Sequence, residues 1–275
     1  MTRKKSRITI TLNDELLKNV DGLVDGTKIK NRSHAIESIL SEKLAVSKLK
    51  KAVILAGGIG IRSNDGKKNI SKILSSYEDR LFVDHIFEWL KREGIQEIII
   101  SAGDLSPEIK NYAGDGSKFD FQVSYLSSDR GTASILKHLV NIVDETFLVI
   151  NGDVLSDTNF DEMFDFHKKS GGLCTIGMIS VKEPSSFGTI KMKGSQIIDF
   201  IEKPQKGEEE SYLINAGIYL MEPEIFKITT PDCLSLEKDL FPSLARKGRI
   251  FGYYLEGKWF HLDNPKVNFT KNKDK

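Results

Sequence analysis

The stretch Ala52-Val53-Ile54-Leu55-Ala56-Gly57-Gly58-Ile59-Gly60-Ile61-Arg62 narrows the choice of fold more than any other part of this chain. Small and β-branched apolar residues that run straight into three glycines read as a buried strand followed by a sharp turn, where the backbone can approach a ligand closely. With no Cβ in the way, the backbone from Leu55 and Ala56 through Gly57, Gly58 and Gly60 can cradle phosphates. Arg62 and the downstream Lys72 supply positive charge suited to a triphosphate.

Two commoner phosphate loops are excluded by spacing. A dinucleotide fingerprint needs G-x-G-x-x-G, but the segment that begins at Gly58 has Ser63 where the third glycine must allow close helix packing. A Walker A loop needs four residues between its glycines and then Lys-Ser/Thr. Here Gly60 and Gly66 enclose five residues and are followed by Lys67-Lys68, which leaves no hydroxyl for magnesium.

At 275 residues the chain can hold more than one domain, and 39% hydrophobic with 29% charged residues is the balance of a soluble globular protein. No apolar run approaches a membrane span, and no apolar signal segment follows the basic N-terminus, so no membrane partner and a cytoplasmic location are expected. Cys174 and Cys233 lack any metal-ligand or disulfide spacing and read as small core residues. The net charge of +1 hides an asymmetry, because Arg3, Lys4, Lys5 and Arg7 cluster at one end.

Within the first fifty residues, Arg7-Ile8-Thr9-Ile10-Thr11-Leu12 alternates with period two, as a half-buried strand does. Asn13-Asp14 can cap a helix carrying Leu16, Leu17, Val20 and Val24, and Asn31-Arg32-Ser33 can open a second one carrying Ala35, Ile36, Ile39, Leu40 and Leu44. One strand and two short helices cannot bury a core alone, so the unit is expected to form a homodimer or a higher even oligomer. Residues 4–46 resemble the Arc/MetJ-like ribbon-helix-helix repressors, in which two paired strands enter the major groove of DNA. The resemblance implies that Arg7, Thr9 and Thr11 face DNA, that Ile8, Ile10 and Leu12 face the helices, and that Asn31, Arg32 and Ser33 hold a backbone phosphate. The alternative is a dimerisation handle with a solvated basic tail.

Further along, strands alternate with helices. Glu97–Ser101, 121–126, 147–151 and 173–181 read as strands, and the segments between them as helices, which predicts an α/β layered fold with a mostly parallel sheet and ligands outside the carboxyl ends of its strands. Phe147-Leu148-Val149-Ile150-Asn151-Gly152-Asp153 ends such a strand in a carboxylate, a hard oxygen ligand suited to magnesium. Asp157 and Asp161 read as caps for the next helix.

Together these pieces resemble the sugar-1-phosphate nucleotidylyltransferases over residues 51–265. Their opening signature is L-A-G-G-x-G-T-R, with a lysine ten positions after the arginine, where this chain has Lys72. Ile61 replaces the threonine and Ser71 the proline before the lysine. Arg130-Gly131-Thr132-Ala133 matches the G-T-A segment that lies against the nucleotide base. Phe187-Gly188, the Glu202-Lys203-Pro204 segment and Asn215-Ala216-Gly217-Ile218-Tyr219 match pieces that hold the sugar 1-phosphate. The closing W-x-D-I-G-T-P is replaced by the run from Trp259 to Pro265. Anchored at both ends, its metal aspartate falls on His261, whereas relatives with an aspartate four positions after the tryptophan match Asp263. We take Asp263 as the second ligand, because a hard cation prefers carboxylate to imidazole.

The expected architecture is therefore a dimeric ribbon-helix-helix unit over residues 1–48 and a Rossmann-like nucleotidyltransferase domain over 49–275. The resemblance implies transfer of a nucleotidyl group from a nucleoside triphosphate to a sugar 1-phosphate, with Arg62, Lys72, Asp153 and Lys203 as catalytic residues. Leu55, Ala56, Gly57, Gly58, Gly60, Gly131 and Thr132 would bind the nucleotide, and Gly188, Glu202, Lys203 and Asn215 the sugar phosphate. Asp153 and Asp263 would hold Mg2+. The competing reading is a transcription regulator whose second domain only senses a nucleotide or nucleotide sugar.

Overall fold

The computed structural model describes residues 8–27, 29–43, 49–57, 59–62, 69–103, 106–127, 131–207, 209 and 211–263. They fall into two compact units, Met1–Ser47 and Lys48–Lys275.

In the first unit, α1 spans Asp14–Gly22 and α2 spans Arg32–Lys43. Asn13 caps α1 by accepting the Leu16 N–H at 2.8 Å, and Asp14 and Glu15 add negative charge at the positive end of the helix dipole. Asn31 caps α2, accepting the His34 N–H at 3.0 Å. Arg32 reaches back to Asp21 through two hydrogen bonds, which ties the start of α2 to the end of α1. Val20 and Ala35 are buried, while Ile8, Ile10, Leu16, Leu23 and Leu40 are exposed. Residues 8–13 form no strand, against the expectation from their alternation, and Ile8 and Ile10 do not pack under the helices. The N–H and C=O groups of a strand need a facing edge, and residues 8–13 pair with no described strand.

The second unit starts with β1 (Lys51–Leu55). Next come the short antiparallel ribbon of β2 (Ile59–Arg62) and β3 (Asn69–Ser71), and a 3-10 turn at Lys72–Leu74. β4 (Ser76–Tyr77) and β5 (Arg80–Leu81) pair before α3 (Phe82–Arg92), β6 (Glu97–Ser101), α4 (Ser106–Ala113), β7 (Gln122–Leu126), α5 (Leu136–Leu139) and β8 (Phe147–Asn151). Then follow β9 (Val154–Ser156), α6 (Phe160–Ser170), β10 (Cys174–Ser180), β11 (Gly188–Lys193), β12 (Gln196–Glu202), β13 (Leu213–Met221) and α7 (Ile225–Ile228). A π-helical turn at Leu236–Leu240 runs into α8 (Phe241–Arg246), and β14 (Ile250–Tyr254) and β15 (Trp259–His261) complete the described elements.

Nine strands make one sheet in the order β10-β14-β12-β11-β13-β8-β1-β6-β7. The half from β8 to β7 is parallel, as the alternation of strands and helices predicts. The other half corrects the expectation of a mostly parallel sheet, because β13 runs antiparallel to β8 and to β10, and β11 and β12 are a hairpin. A tight turn through Gly194, at φ 60°, joins that hairpin, and a connection this short can only reverse the chain.

Alternation along the strands builds a core on each face. Ile54, Ile98, Ile100, Leu148, Ile150, Ile218 and Leu220 share one core with Ile86 and Leu90 of α3, whereas Val53, Ile99, Phe147, Val149, Tyr219 and Met221 share the other with Leu136 and Leu139 of α5 and Phe241 and Leu244 of α8. Each large aliphatic side chain buried in this way contributes about 1.5–3 kcal/mol, so the sheet ends where the site sits are held by a stiff support.

Candidate active site

β1 and β8 are parallel neighbours, with Leu55 beside Asn151, so both strands deliver their carboxyl ends to one edge. Gly152 makes that junction possible. Its N–H bonds the Leu55 carbonyl at 2.9 Å, and a Cβ there would lie 3.0 Å from that oxygen. The glycine loop and the Gly-Asp motif are thereby locked together, with Asp153 at the rim. Ser71, the departure from the family proline, is buried, and its hydroxyl reaches the Ala56 carbonyl at 3.4 Å. The 3-10 turn that follows points Lys72 back at Asp153, with Nζ 3.5 Å from Oδ2.

The far end of the chain joins at the same place. β15 pairs antiparallel with β9, His261 opposite Val154, and the Leu262 N–H bonds the Asp153 carbonyl at 2.9 Å. Trp259 anchors this ribbon from below through a buried indole N–H bond to the Ala216 carbonyl at 2.9 Å. Asp263 thus meets Lys72 in a short ion pair, and candidate ligand atoms of Asp153, His261 and Asp263 lie within 4.8 Å of one another. Burial opposes the charge on Lys72, but the two aspartates outweigh it and raise its pKa, so the ammonium stays charged. Burial drives the His261 pKa down, with Lys72 and Lys203 adding to the fall against the opposing pull of the aspartates. Its Nδ1 accepts the Asp263 N–H at 3.1 Å, which leaves the proton of the neutral ring on Nε2.

On the other wall, Gly188 of β11 stands opposite Glu202 of β12. A Cβ on Gly188 would come 2.8 Å from a Glu202 carboxylate oxygen and 2.5 Å from the Phe200 ring, so any larger residue would push both side chains aside. Burial raises the Glu202 pKa, and nearby Glu237 raises it further against Lys203 and Lys238. Lys203 takes left-handed backbone at φ 48°, a conformation costing a non-glycine residue about 1–2 kcal/mol. Its N–H bonds the Phe187 carbonyl at 3.1 Å. Asn215 is spent largely on its own turn. Its amide donates to the Tyr219 hydroxyl and its oxygen accepts the Gly217 N–H, both at 2.9 Å.

These groups share a cleft of about 220 Å³, lined by Lys72, Asp153, Asp263 and His261 on one side and by Gly188, Glu202, Lys203 and Asn215 on another. Gly58 and the side chain of Arg62 lie outside the described residues, as does Arg7. Gly60 lies in β2, and Leu55, Ala56 and Gly57 form the end of β1 and the turn after it. Gly131 and Thr132 abut the segment Leu234–Lys238. In the first unit Thr9, Thr11 and Ser33 are exposed, while Asn31 and Arg32 are engaged in the cap and the Asp21 pair.

Among the cleft residues that no motif marked, Asn151 and Glu237 matter most. Asn151 lines the floor, and its Oδ1 is buried with no hydrogen-bond partner among the described residues. Its place two residues before Asp153, at the end of a strand, was a usable signal. Glu237 enters from the π-helical turn, and no local pattern announced it.

The profile of the family described as nucleotidyl transferase matches residues 51–263. The chain belongs to the nucleotidyl transferase family. Among relatives of this nucleotidyl transferase domain, a mannose-1-phosphate guanylyltransferase catalytic subunit beta of Dictyostelium discoideum is 31% identical over 223 residues, covering 78% of this chain and 62% of the relative. A mannose-1-phosphate guanyltransferase of Aspergillus oryzae is 34% identical over 228 residues, covering 78% of this chain and 61% of the relative. The matched region thus spans about three fifths of these relatives' length. Among solved structures, a Bacillus anthracis protein described as a glucose-1-phosphate thymidylyltransferase superposes with a TM-score of 0.68 at 25% identity, over 77% of this chain and 89% of that one. HddC from Yersinia pseudotuberculosis has the same fold, with a TM-score of 0.67 at 21% identity over 80% and 96%.

Proposed function

We propose that this nucleotidyl transferase joins a sugar 1-phosphate to the α-phosphorus of a nucleoside triphosphate and releases pyrophosphate. The observation that carries this reading is the convergence of Lys72, Asp153 and Asp263 in the same cleft as Glu202 and Lys203. A phosphate oxygen of the sugar 1-phosphate attacks the α-phosphorus, the bond from that phosphorus to the β-phosphate oxygen breaks, and pyrophosphate leaves with the electron pair. Such a reaction asks for alignment and charge neutralisation rather than a covalent intermediate. Lys203 grips the sugar phosphate, Glu202 accepts hydrogen bonds from sugar hydroxyls, and Lys72 and Arg62 neutralise the departing pyrophosphate. The glycine turn after β1 cradles the triphosphate.

Asp153 and Asp263 suit a magnesium ion, since both offer hard oxygen atoms at a spacing one ion can bridge. Bound there, Mg2+ would supply charge to the phosphate oxygens. The Asp263 N–H on His261 Nδ1 supports the carboxylates as the ligand pair, because a neutral ring protonated on Nε2 has no free lone pair facing Asp153. The relatives name mannose 1-phosphate and a guanine nucleotide as the first substrates to try. The decisive experiment measures pyrophosphate release with Mg2+ across a panel of triphosphates and sugar 1-phosphates. Turnover on one pair establishes the reading, and binding without turnover on any pair leaves a sensor.

For the first unit we propose DNA binding as a dimer through Thr9, Thr11, Ser33 and the basic residues ahead of them. The exposed alternation of Ile8 and Ile10 with Thr9 and Thr11, beside two capped helices, supports it.

A further inference from the structure

Glu237 stands in the cleft, yet it belongs to neither the glycine loop nor the hairpin that carries Glu202 and Lys203. Its carboxylate is held in place before any ligand arrives. Thr132 Oγ1 donates to Oε2 at 2.7 Å, and Ser235 Oγ donates to the same oxygen at 2.9 Å. Thr132 Oγ1 also accepts the Leu236 N–H at 2.9 Å, so both functions of the hydroxyl are spent on the segment that presents Glu237. On either side the docking is backbone to backbone. The Ala133 N–H bonds the Leu234 carbonyl at 2.9 Å, and a Cβ on Gly131 would sit 2.3 Å from that carbonyl oxygen. All three residues of the Gly-Thr-Ala motif therefore clamp Leu234–Lys238 into position.

We propose that Glu237 is a sugar-hydroxyl-binding carboxylate and that Thr132, with Gly131 and Ser235, is the positioning group that aims it into the cleft. The inference rests on the sugar 1-phosphate reading above. It also moves Thr132 from the nucleotide side of the site, where the motif resemblance puts it, to the sugar side. Thr132 and Ser235 hold one carboxylate oxygen of Glu237, which lines the same cleft as Glu202, Lys203 and Asn151. Such acceptors recognise a polyhydroxylated ring, and their place beside Glu202 and Lys203 puts Glu237 on the sugar side of the cleft. A hydrogen bond from a hydroxyl to an ionised group is among the stronger ones, and an analogue that lacks the hydroxyl leaves the carboxylate unpaired.

The test is a steady-state comparison of wild type with Glu237→Gln, Thr132→Val, Thr132→Ser and Ser235→Ala on the active substrate pair. KM is determined separately for sugar 1-phosphate and triphosphate, and thermal midpoints are recorded alongside. The expected result for Glu237→Gln is a sugar 1-phosphate KM raised about tenfold or more, with the triphosphate KM within about twofold. Thr132→Val should shift the same constant by a smaller factor, Thr132→Ser should restore it, and Ser235→Ala should fall between. Monodeoxy sugar 1-phosphates supply an independent readout. The one analogue that wild type discriminates against through Glu237 should be accepted by Glu237→Gln with no further penalty.

A Thr132→Val variant that raises only the triphosphate KM overturns the assignment, as does a Glu237→Gln variant with unchanged sugar discrimination. Equal losses on both substrates with a lowered thermal midpoint also overturn it, since that is the signature of scaffolding alone. If Glu237→Gln does not fold, the Thr132→Val and Thr132→Ser pair decides by the same KM split. A wild-type chain inactive on every pair removes the functional reading and this inference with it, whereas an active wild type with kinetically silent variants removes only the inference.

Discussion

In the proposed mechanism Lys72 is the residue on which the site turns, since its charge lies between Asp153 and Asp263, carboxylates from well-separated segments of the chain. Lys72→Ala or Asp153→Asn is expected to lower turnover by about a hundredfold or more, the loss seen when one preorganised charge stabiliser is removed. Pyrophosphate release under saturating substrates measures it. For the second ligand, Asp263→Asn should raise the Mg2+ concentration needed for half activity far more than His261→Asn. A magnesium titration of both variants checks the ranking, and the opposite order would move the site to His261. Asn151→Leu gives a different signature. A buried acceptor left unpaired costs about 1–3 kcal/mol, so removing it should leave the thermal midpoint unchanged or higher while catalysis falls. A residue kept for the fold alone would show the reverse.

Among the elements, β1 and β8 are legible in the sequence because an unbroken apolar run bounded by glycine has few other fates. β9 and β15 are not. Each has three residues, and their pairing brings together segments from distant parts of the chain, so the meeting of Asp153 with Asp263 had no local signal. Glu237 was hidden for the same reason, since its place depends on how Leu234–Lys238 docks against Gly131 and Thr132. The strand expected at residues 7–12 fails in the opposite direction, because its pattern is clear but residues 8–13 pair with no described strand.

Away from the site, α6 and β13 are joined by a polar cluster with a pH signature. His167 and Lys168 of α6 bond Glu222 at 3.1 and 2.6 Å, and Thr146 bonds it at 3.0 Å. Burial pushes the Glu222 carboxyl up, but these partners win and hold it down from its ordinary 4.5 to about 2. The depressed folded value means that the contribution is complete above about pH 4.5 and is lost as the pH falls toward about 2. Thermal midpoints measured over that window should drop more steeply for wild type than for Glu222→Gln, which has no carboxyl there to protonate.

At the scale of the whole molecule, the two units make different demands. The second has a complete two-sided core, while the first buries only Val20 and Ala35 among its described apolar side chains, so it is expected to fold stably only with a second copy. If the dimer binds DNA, a ligand of the enzyme domain can alter that affinity only by favouring the DNA-competent arrangement. The expected coupling is about 1–3 kcal/mol and reciprocal. Titrating DNA at fixed salt, with and without saturating nucleotide sugar, measures it, and equal affinities would mean the two functions are merely carried together.

The ribbon of β9 and β15 also sets a timetable. Chains emerge from the ribosome in order, and a domain generally folds as a unit. Lys72 and Asp153 are made well before Asp263, yet the charged cluster is complete only when β15 closes against β9. On the proposed function, catalysis therefore waits for the last ribbon of the domain, however early its phosphate loop is made.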